Sequence, residues 1–172
     1  MSAKIEKALN AQINAEMWSA YLYLSMAANF HEMGYEGFAN WFEVQFKEEQ
    51  DHAMILYNFM ISRGARVMLS PIAEVPTEWN NPLEAFEATL KHEKVVTKML
   101  HDLNTLAIEE NDYALQNRLQ WFIDEQIEEE DTAQKFINNL KMIKDNGFGL
   151  YMLDKELASR SYTQATPLAG KE

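Results

Sequence analysis

Phe42-Glu43-Val44-Gln45-Phe46-Lys47-Glu48-Glu49-Gln50-Asp51-His52-Ala53-Met54-Ile55-Leu56 is the stretch that decides how the rest of the chain is read. Phe42, Glu49 and Leu56 fall seven residues apart, about two turns of α-helix. The Glu49 carboxylate therefore shares the face of its bulky neighbours and points into a core. His52 continues the adjoining row Phe38-Gln45-His52-Phe59. Glu49 and His52 form a Glu-x-x-His pair at i, i+3, on one face of one helix.

The same interruption recurs in three other apolar stripes: Leu9-Glu16-Tyr23-Phe30, Phe86-Glu93-Leu100 and Leu115-Phe122-Glu129-Phe136. A single Glu in such a stripe commonly snorkels to the edge of the face. Four, one on each of four helices, would meet in the core, where repulsion and desolvation cost many kcal/mol unless protons or cations neutralise them. A bound multivalent metal is the economical solution. A lone inward His is more often a hydrogen-bonded core residue, but beside four inward Glu it reads as a ligand. Oxygen-rich ligation with one imidazole suits iron or manganese better than zinc, although affinity alone also admits zinc or cobalt.

Composition narrows the classes. The chain has 172 residues, 47% of them hydrophobic, enough for one domain over residues 1–160 with a polar, flexible tail at 161–172. Only 6 Gly and 4 Pro punctuate it, and Pro71, Pro76 and Pro82 share one short segment, so the helices are long. The absence of Cys excludes disulfides and thiolate iron-sulfur centres. A formal charge of −12 leaves no basic patch for nucleic acid and favours cations as partners. No signal peptide opens the chain and no apolar run approaches the roughly 18 residues of a membrane span, so a soluble, cytoplasmic protein is expected.

The pattern predicts helices over Lys4–Met33 and Phe38–Arg63 joined by a tight turn, then a crossover through residues 65–82. A third helix starts near Leu83 behind Asn81-Pro82 and ends near Asn111-Asp112, a fourth runs to about Asn146-Gly147, and a short fifth covers Leu150–Ser159. A linker that long makes the second and third helices parallel, giving an all-α, ferritin-like four-helix bundle with one long crossover. Glu93 lies 18 residues before the turn at Asn111 and Glu129 lies 18 after it, so the two are level. Glu16 and Glu49 lie about 18 and about 15 residues from their own turn, an offset near 5 Å at about 1.5 Å per residue, which a Glu side chain spans.

Glu16, Tyr23, Glu48-Glu49-Gln50-Asp51-His52, Glu93 and Trp121-Phe122-Ile123-Asp124-Glu125-Gln126-Ile127-Glu128-Glu129 resemble the motifs of prokaryotic non-haem ferritins, over nearly the whole chain. The resemblance implies that Glu16, Glu49 and His52 bind one ferroxidase iron and that Glu49 bridges to a second, held with Glu93 and Glu129. It places Gln126 beside this centre as a hydrogen-bonding residue. It implies a third iron at Glu48, Glu125 and Glu128 with Glu129 shared. Glu125, Glu128 and Glu129 do form one acidic cluster at i, i+3, i+4, but Glu128-Glu129-Glu130-Asp131 also reads as a solvated run, with Glu130 and Asp131 left on the surface. Tyr23 becomes a candidate electron donor, together with Trp121.

The activity so implied is oxidation of Fe(II) to Fe(III) by dioxygen, with hydrogen peroxide as a second candidate oxidant. Ferric oxyhydroxide is then stored inside a hollow homo-oligomeric shell of twenty-four subunits. The fifth helix and outer-face apolar residues such as Trp79 and Tyr151 are consistent with subunit contacts, although simple core packing is the commoner role for any one of them, and His31, His92 and His101 are expected to be structural or surface residues. Three departures matter. The fourth helix carries Glu125-Gln126-Ile127-Glu128 where bacterioferritins and rubrerythrins have a second Glu-x-x-His, and there is no Cys for a rubrerythrin iron module. Gln116 and Leu119 stand where animal ferritins line three-fold channels with carboxylates, pointing to an iron route between helices. Two rivals stand beside the storage reading: a diiron oxygenase or peroxidase, which would need a substrate pocket and usually a second His, and a non-catalytic metal-sequestering cage.

Overall fold

Short polar side chains start four of the five helices. Ser2 accepts a hydrogen bond from Ile5 N, Asn81 from Glu84 N with Pro82 in the first helical turn, Asp112 from Leu115 N, and Asn146 from Gly149 N. The computed structural model describes residues 1–169 and contains α1 (Ala3–Met33), α2 (Glu36–Ser62), α3 (Pro82–Glu109), α4 (Tyr113–Ile143) and α5 (Gly147–Leu157), with no strand among the described residues. Gly34 closes α1 in the left-handed conformation, φ 79°, which glycine adopts without strain. The fifth helix starts at Gly147 rather than Leu150, because the Asn146 cap initiates it ahead of the glycines, and it ends at Leu157 rather than Ser159.

α2 lacks a side-chain cap of its own. Asp154 of α5 supplies one from across the fold, its Oδ1 accepting from Gly37 N (2.8 Å) and Phe38 N (3.1 Å). Gly37 permits this approach, since a Cβ there would sit 1.6 Å from the Asp154 carbonyl oxygen. At the opposite end Arg63 makes a two-pronged pair with Asp112, joining the end of α2 to the α3–α4 turn.

The crossover lies along α1, held by side chains spaced on one helical face. Asn10 donates to Arg66 O, Asn14 to Ser70 O, Trp18 to Glu74 O, Ser25 to Pro76 O and Asn29 to Trp79 O. Asn10 and Asn29 are separated by about 28 Å of helix, so the linker runs most of the bundle's length and returns the chain to the end where α2 began. α3 is thus parallel to α2, as the crossover length requires. Trp79 at the end of this linker is 6% exposed and packs into the core, which corrects its expected place on an outer face; Tyr151 is 55% exposed.

The apolar core forms two clusters. One, at the α1–α2 turn, gathers Tyr23, Phe30, Phe38, Phe42 and Phe86. The other, at the far end, gathers Ile5, Leu9, Leu56, Leu100, Leu115 and Leu119. Leu119 is fully buried there. Between the clusters lies a buried polar layer containing Glu16, Ser19, Gln45, Glu49, His52, Thr89, Glu93, Gln126 and Glu129.

The segment after α5 turns back onto the bundle and makes contacts there. Tyr162 OH and Ala165 N both donate to Asp51 Oδ2 at 2.8 Å, and Ala165 and Leu168 pack on the far apolar cluster. Residues 170–172 of the expected tail lie outside the described residues.

Candidate metal centre

Glu16 from α1 and Glu49 and His52 from α2 converge in the polar layer, each offering a ligand atom within 4.8 Å of the others, and all three are buried. His52 Nδ1 lies 3.5 Å from Glu49 Oε2, as the i, i+3 spacing dictates. The His52 ring is packed edge-on against Trp121 and Phe122 of α4, which fixes its plane. Glu93 of α3 and Glu129 of α4 are also buried, 1% and 8% exposed, and near enough for the Glu93 charge to act on Glu16 and Glu49 and the Glu129 charge on His52, but they stand outside the three-residue cluster. Two helices therefore bring two carboxylates and one imidazole together, and the other two each bury one more carboxylate nearby.

Neutral donors hold three of the carboxylates. Gln12, one turn before Glu16, donates to Glu16 Oε1 at 2.8 Å. Gln126 donates to Glu93 Oε2 at 3.0 Å and to the Glu93 carbonyl, and the Tyr23 hydroxyl donates to Glu93 Oε1. Gln45 donates to Glu129 Oε2 at 3.0 Å. These bonds orient the carboxylates without neutralising them. Glu16 Oε2 is a buried acceptor with no donor among the described residues. Such an orphan is costly in a folded core, about 1–3 kcal/mol, and it is what a missing cation would leave.

The electrostatics agree. Burial pushes the Glu16, Glu49 and Glu93 carboxyls up, with Glu49 well above the carboxylate range. Burial and the neighbouring Glu93 charge raise Glu129 to about 8. Burial opposes the charge on His52, but Glu49, Glu16 and Glu129 outweigh it and raise the imidazole to about 10. At neutral pH the metal-free layer therefore retains protons that a multivalent cation would displace. The donor set of carboxylate oxygens plus one imidazole fits a first-row divalent metal that tolerates oxygen ligands, iron included.

The other anticipated residues fall around this layer. Glu48 is half-buried beside Arg160, and Glu125 is half-buried close enough to Glu48, His52 and Glu128 for their charges to act on one another. Glu128 is exposed at the rim. Tyr23 is fully buried, and burial followed by the Glu93 charge raises its phenol well above its usual range. His92, next to Glu93 in sequence, hydrogen-bonds Ser19 Oγ at 2.7 Å and is lowered to about 4 by burial, so it is a neutral structural residue. His31 is a half-exposed link between Glu36 and Glu43.

Several residues went unmarked in the sequence. Gln12 and Gln45 were legible only as polar interruptions of apolar rows. Thr97 donates to Glu130 (2.6 Å) and accepts from Gln126, so Glu130 reaches the centre through two neutral side chains instead of standing on the surface. Arg160 donates to both Gln45 and Glu48 from the far side of α5, a contact across 112 residues that no local pattern signals.

A four-helix bundle with one long crossover, a buried Glu-Glu-His cluster and two further buried glutamates beside it defines the class of carboxylate-rich bundles suited to metal. The chain belongs to the ferritin family, matching the ferritin-like domain over residues 6–143. It is 41% identical to a bacterial non-heme ferritin of Bacteroides fragilis over 160 residues, 93% of this chain and 99% of the relative, and 37% identical to one of Staphylococcus aureus, covering 95% and 99%. Its structure superposes with a TM-score of 0.93 on an open-pore ferritin from the archaeon Archaeoglobus fulgidus, 48% identical and covering 94% of this chain and 99% of that one. No helix among the described residues is long and apolar enough to cross a membrane.

Proposed function

We propose that this chain is an iron-storage ferritin that oxidises Fe(II) with dioxygen at a two-iron centre and keeps the ferric product as a mineral inside a homo-oligomeric shell, of twenty-four subunits, in the cytoplasm. The observation that carries the proposal is the buried Glu16–Glu49–His52 cluster, and the burial of Glu93 and Glu129 supports it. Iron is here both substrate and cargo. Glu16, Glu49 and His52 hold one ion; Glu49, Glu93 and Glu129 hold the other, with Glu49 shared. Each Fe(II) gives up one electron, so a pair reduces one dioxygen by two electrons, and the shared carboxylate keeps the ions close enough to react together.

The surrounding residues set the geometry. Gln12, Gln45 and Gln126 keep carboxylate oxygens aimed inward through neutral bonds, so the only positive charge in the centre itself is the displaceable His52 proton. His52 and the carboxyls surrender their protons on loading. Tyr23, hydrogen-bonded to Glu93, is positioned to supply an electron, with Trp121 against His52 as a second aromatic nearby. Glu48, Glu125 and Glu128 with Glu129 form a third, more open site on the path away from the centre. The intact ligand set favours this over a pure cage, and the Gln126-Ile127-Glu128 run, without a second His, favours it over an oxygenase.

The test is aerobic addition of excess Fe(II) to the metal-free protein, followed by size-exclusion chromatography with iron and protein quantified across the peak. A large shell retaining many ferric ions per subunit is expected. A small oligomer holding two or three irons, with the remainder precipitated, would overturn storage and point to an oxygenase.

A further inference from the structure

Arg160 lies three residues beyond α5, yet its guanidinium is engaged wholly by α2. Nη1 donates to the Trp41 carbonyl (3.1 Å), while Nη2 donates to Gln45 Oε1 (2.6 Å) and Glu48 Oε2 (2.7 Å). Its central carbon stands 4.7 Å from the centre of the Trp41 ring. Trp41, Gln45 and Glu48 recur at i, i+4 and i+7, one face of the helix. The chain on both sides is pinned: Asn40 donates to Leu157 O and Arg160 O, and Asp51 accepts from Tyr162 and Ala165. Arg160 is thus a fixed charge, with its side chain 27% exposed.

Both polar partners lead to the third cluster. Glu48 is contacted directly. Gln45, whose amide oxygen accepts from Arg160, must turn its NH2 group away, and that group donates to Glu129 Oε2. A metal entering between Glu48, Glu125, Glu128 and Glu129 meets a unit positive charge that already holds one Glu48 oxygen and, through Gln45, orients Glu129.

We propose that Arg160 is a positioning residue and resident cation that competes with metal for the third cluster, keeping the affinity there low so that metal passes through instead of lodging. The inference rests on the third-site reading above. Unlike a proton, the guanidinium cannot dissociate to make way, because it stays charged at every physiological pH. Loading of the third site therefore works against a permanent charge, whereas loading of the first two expels protons.

The experiment is anaerobic calorimetric titration of the full-length, metal-free shell with Zn(II), comparing wild type with Arg160→Gln, Arg160→Lys and Glu128→Ala. Removing a unit charge from the edge of a partly buried cation site is expected to tighten the third equivalent about tenfold in Arg160→Gln and to change the first two by less than about threefold. Arg160→Lys keeps the charge and is expected to stay within about threefold of wild type. Glu128→Ala should lose the third equivalent, which identifies it. Arg160→Met retains the stem against Trp41 and carries the same expectation as Arg160→Gln where the latter fails to assemble. A third equivalent, lost in Glu128→Ala but unchanged in Arg160→Gln, overturns the role of Arg160 and leaves the third site standing. Two equivalents in every form overturn the third site and the inference with it. Equal tightening in Arg160→Lys shows that bond geometry, not charge, sets the affinity, and also overturns it.

Discussion

Replacing Glu16 with Gln separates what the centre does for stability from what it does for binding. Glu16 is fully buried; Gln12 satisfies Oε1, and Oε2 has no donor among the described residues. Burial already pushes this carboxyl up, so the ionised form is disfavoured in the metal-free fold. Glu16→Gln keeps volume and shape, keeps an acceptor for Gln12, and puts an N–H where the orphan oxygen stood, in a cluster whose other carboxylate is Glu49. Relieving one unsatisfied buried acceptor is worth about 1–3 kcal/mol. For a domain of this size, that corresponds to a rise in Tm of roughly 2–8 °C.

The same change removes a charged ligand. A metal at a hundredfold excess over its Kd stabilises the native state by about 2.7 kcal/mol, and the variant should lose much of that gain. The assay is thermal unfolding of assembled wild type and Glu16→Gln at equal protein concentration, first with chelator and then with excess Zn(II) under anaerobic conditions. The expected pattern is a crossing: the variant melts higher without metal and gains less with it. A variant that melts lower without metal by more than about 1 kcal/mol, or that gains as much from Zn(II) as wild type, would refute the claim that Oε2 is an acceptor reserved for a cation.

Three further outcomes are expected. Gly37→Ala drives a Cβ into the Asp154 backbone, so α5 must withdraw, α2 loses its borrowed cap, and stability falls by about 2–4 kcal/mol; chemical denaturation measures the loss, and an unchanged midpoint would show that α5 does not dock on Gly37. In the metal-free protein His52 titrates near 10 against 6.5 unfolded and Glu129 near 8 against 4.5. The native state therefore binds more protons than the unfolded one, and stability declines as pH rises, from 4.5 to 8 for Glu129 and from 6.5 to 10 for His52. Each group contributes a slope on the order of 1 kcal/mol per pH unit, and metal affinity, limited by the same protons, should strengthen across that window; Zn(II) titrations at about pH 6 and pH 8 with equal affinity would contradict this. Finally, Glu49→Ala, which removes the shared carboxylate, should abolish fast Fe(II) oxidation, whereas Glu128→Ala should leave the first turnover largely intact and alter later ones. Stopped-flow traces equally impaired in both would sink the separation of the two-iron centre from the third site.

The parts of this molecule written in local periodicity were legible in the sequence. Heptad spacing puts Glu16, Glu49, Glu93 and Glu129 on the faces of Leu9, Phe42, Leu100 and Phe122, and burial follows. The i, i+3 step from Glu49 to His52 fixes their proximity, and the asymmetric loop lengths fix the topology. Contacts with no period were not legible. Trp79 stands in an aperiodic linker, and its burial depends on Asn29 drawing that linker onto α1. Asp154 capping α2, Arg160 reaching Glu48 and Tyr162 reaching Asp51 all span more than a hundred residues. They made a polar ending look free when tertiary hydrogen bonds hold it. Glu130 misled for another reason: in an acidic run its neighbours look solvated, and only the Thr97 hydroxyl distinguishes it.

The choice of donors around the centre bears on how metal would move through it. A Lys or Arg beside Glu16, Glu49, Glu93 or Glu129 would relieve the buried charge more strongly than an amide, yet Gln12, Gln45, Gln126 and Tyr23 fill those positions. Amides orient a carboxylate without contributing a charge that repels an incoming cation. The positive charge that the metal-free centre does hold is the His52 proton, raised by Glu49, Glu16 and Glu129 against burial, and it departs when metal arrives. At Glu48 the arrangement reverses, because the resident cation is a guanidinium tied to Trp41 and Gln45 that has nowhere to go. Under the proposed assignment the inner pair of sites faces the displaceable His52 proton and meets Arg160 only at a remove, through Glu129, whereas the third faces the guanidinium directly at Glu48. On that assignment affinity falls from the centre toward the exposed Glu128, so metal is held more tightly inside the bundle than at its rim.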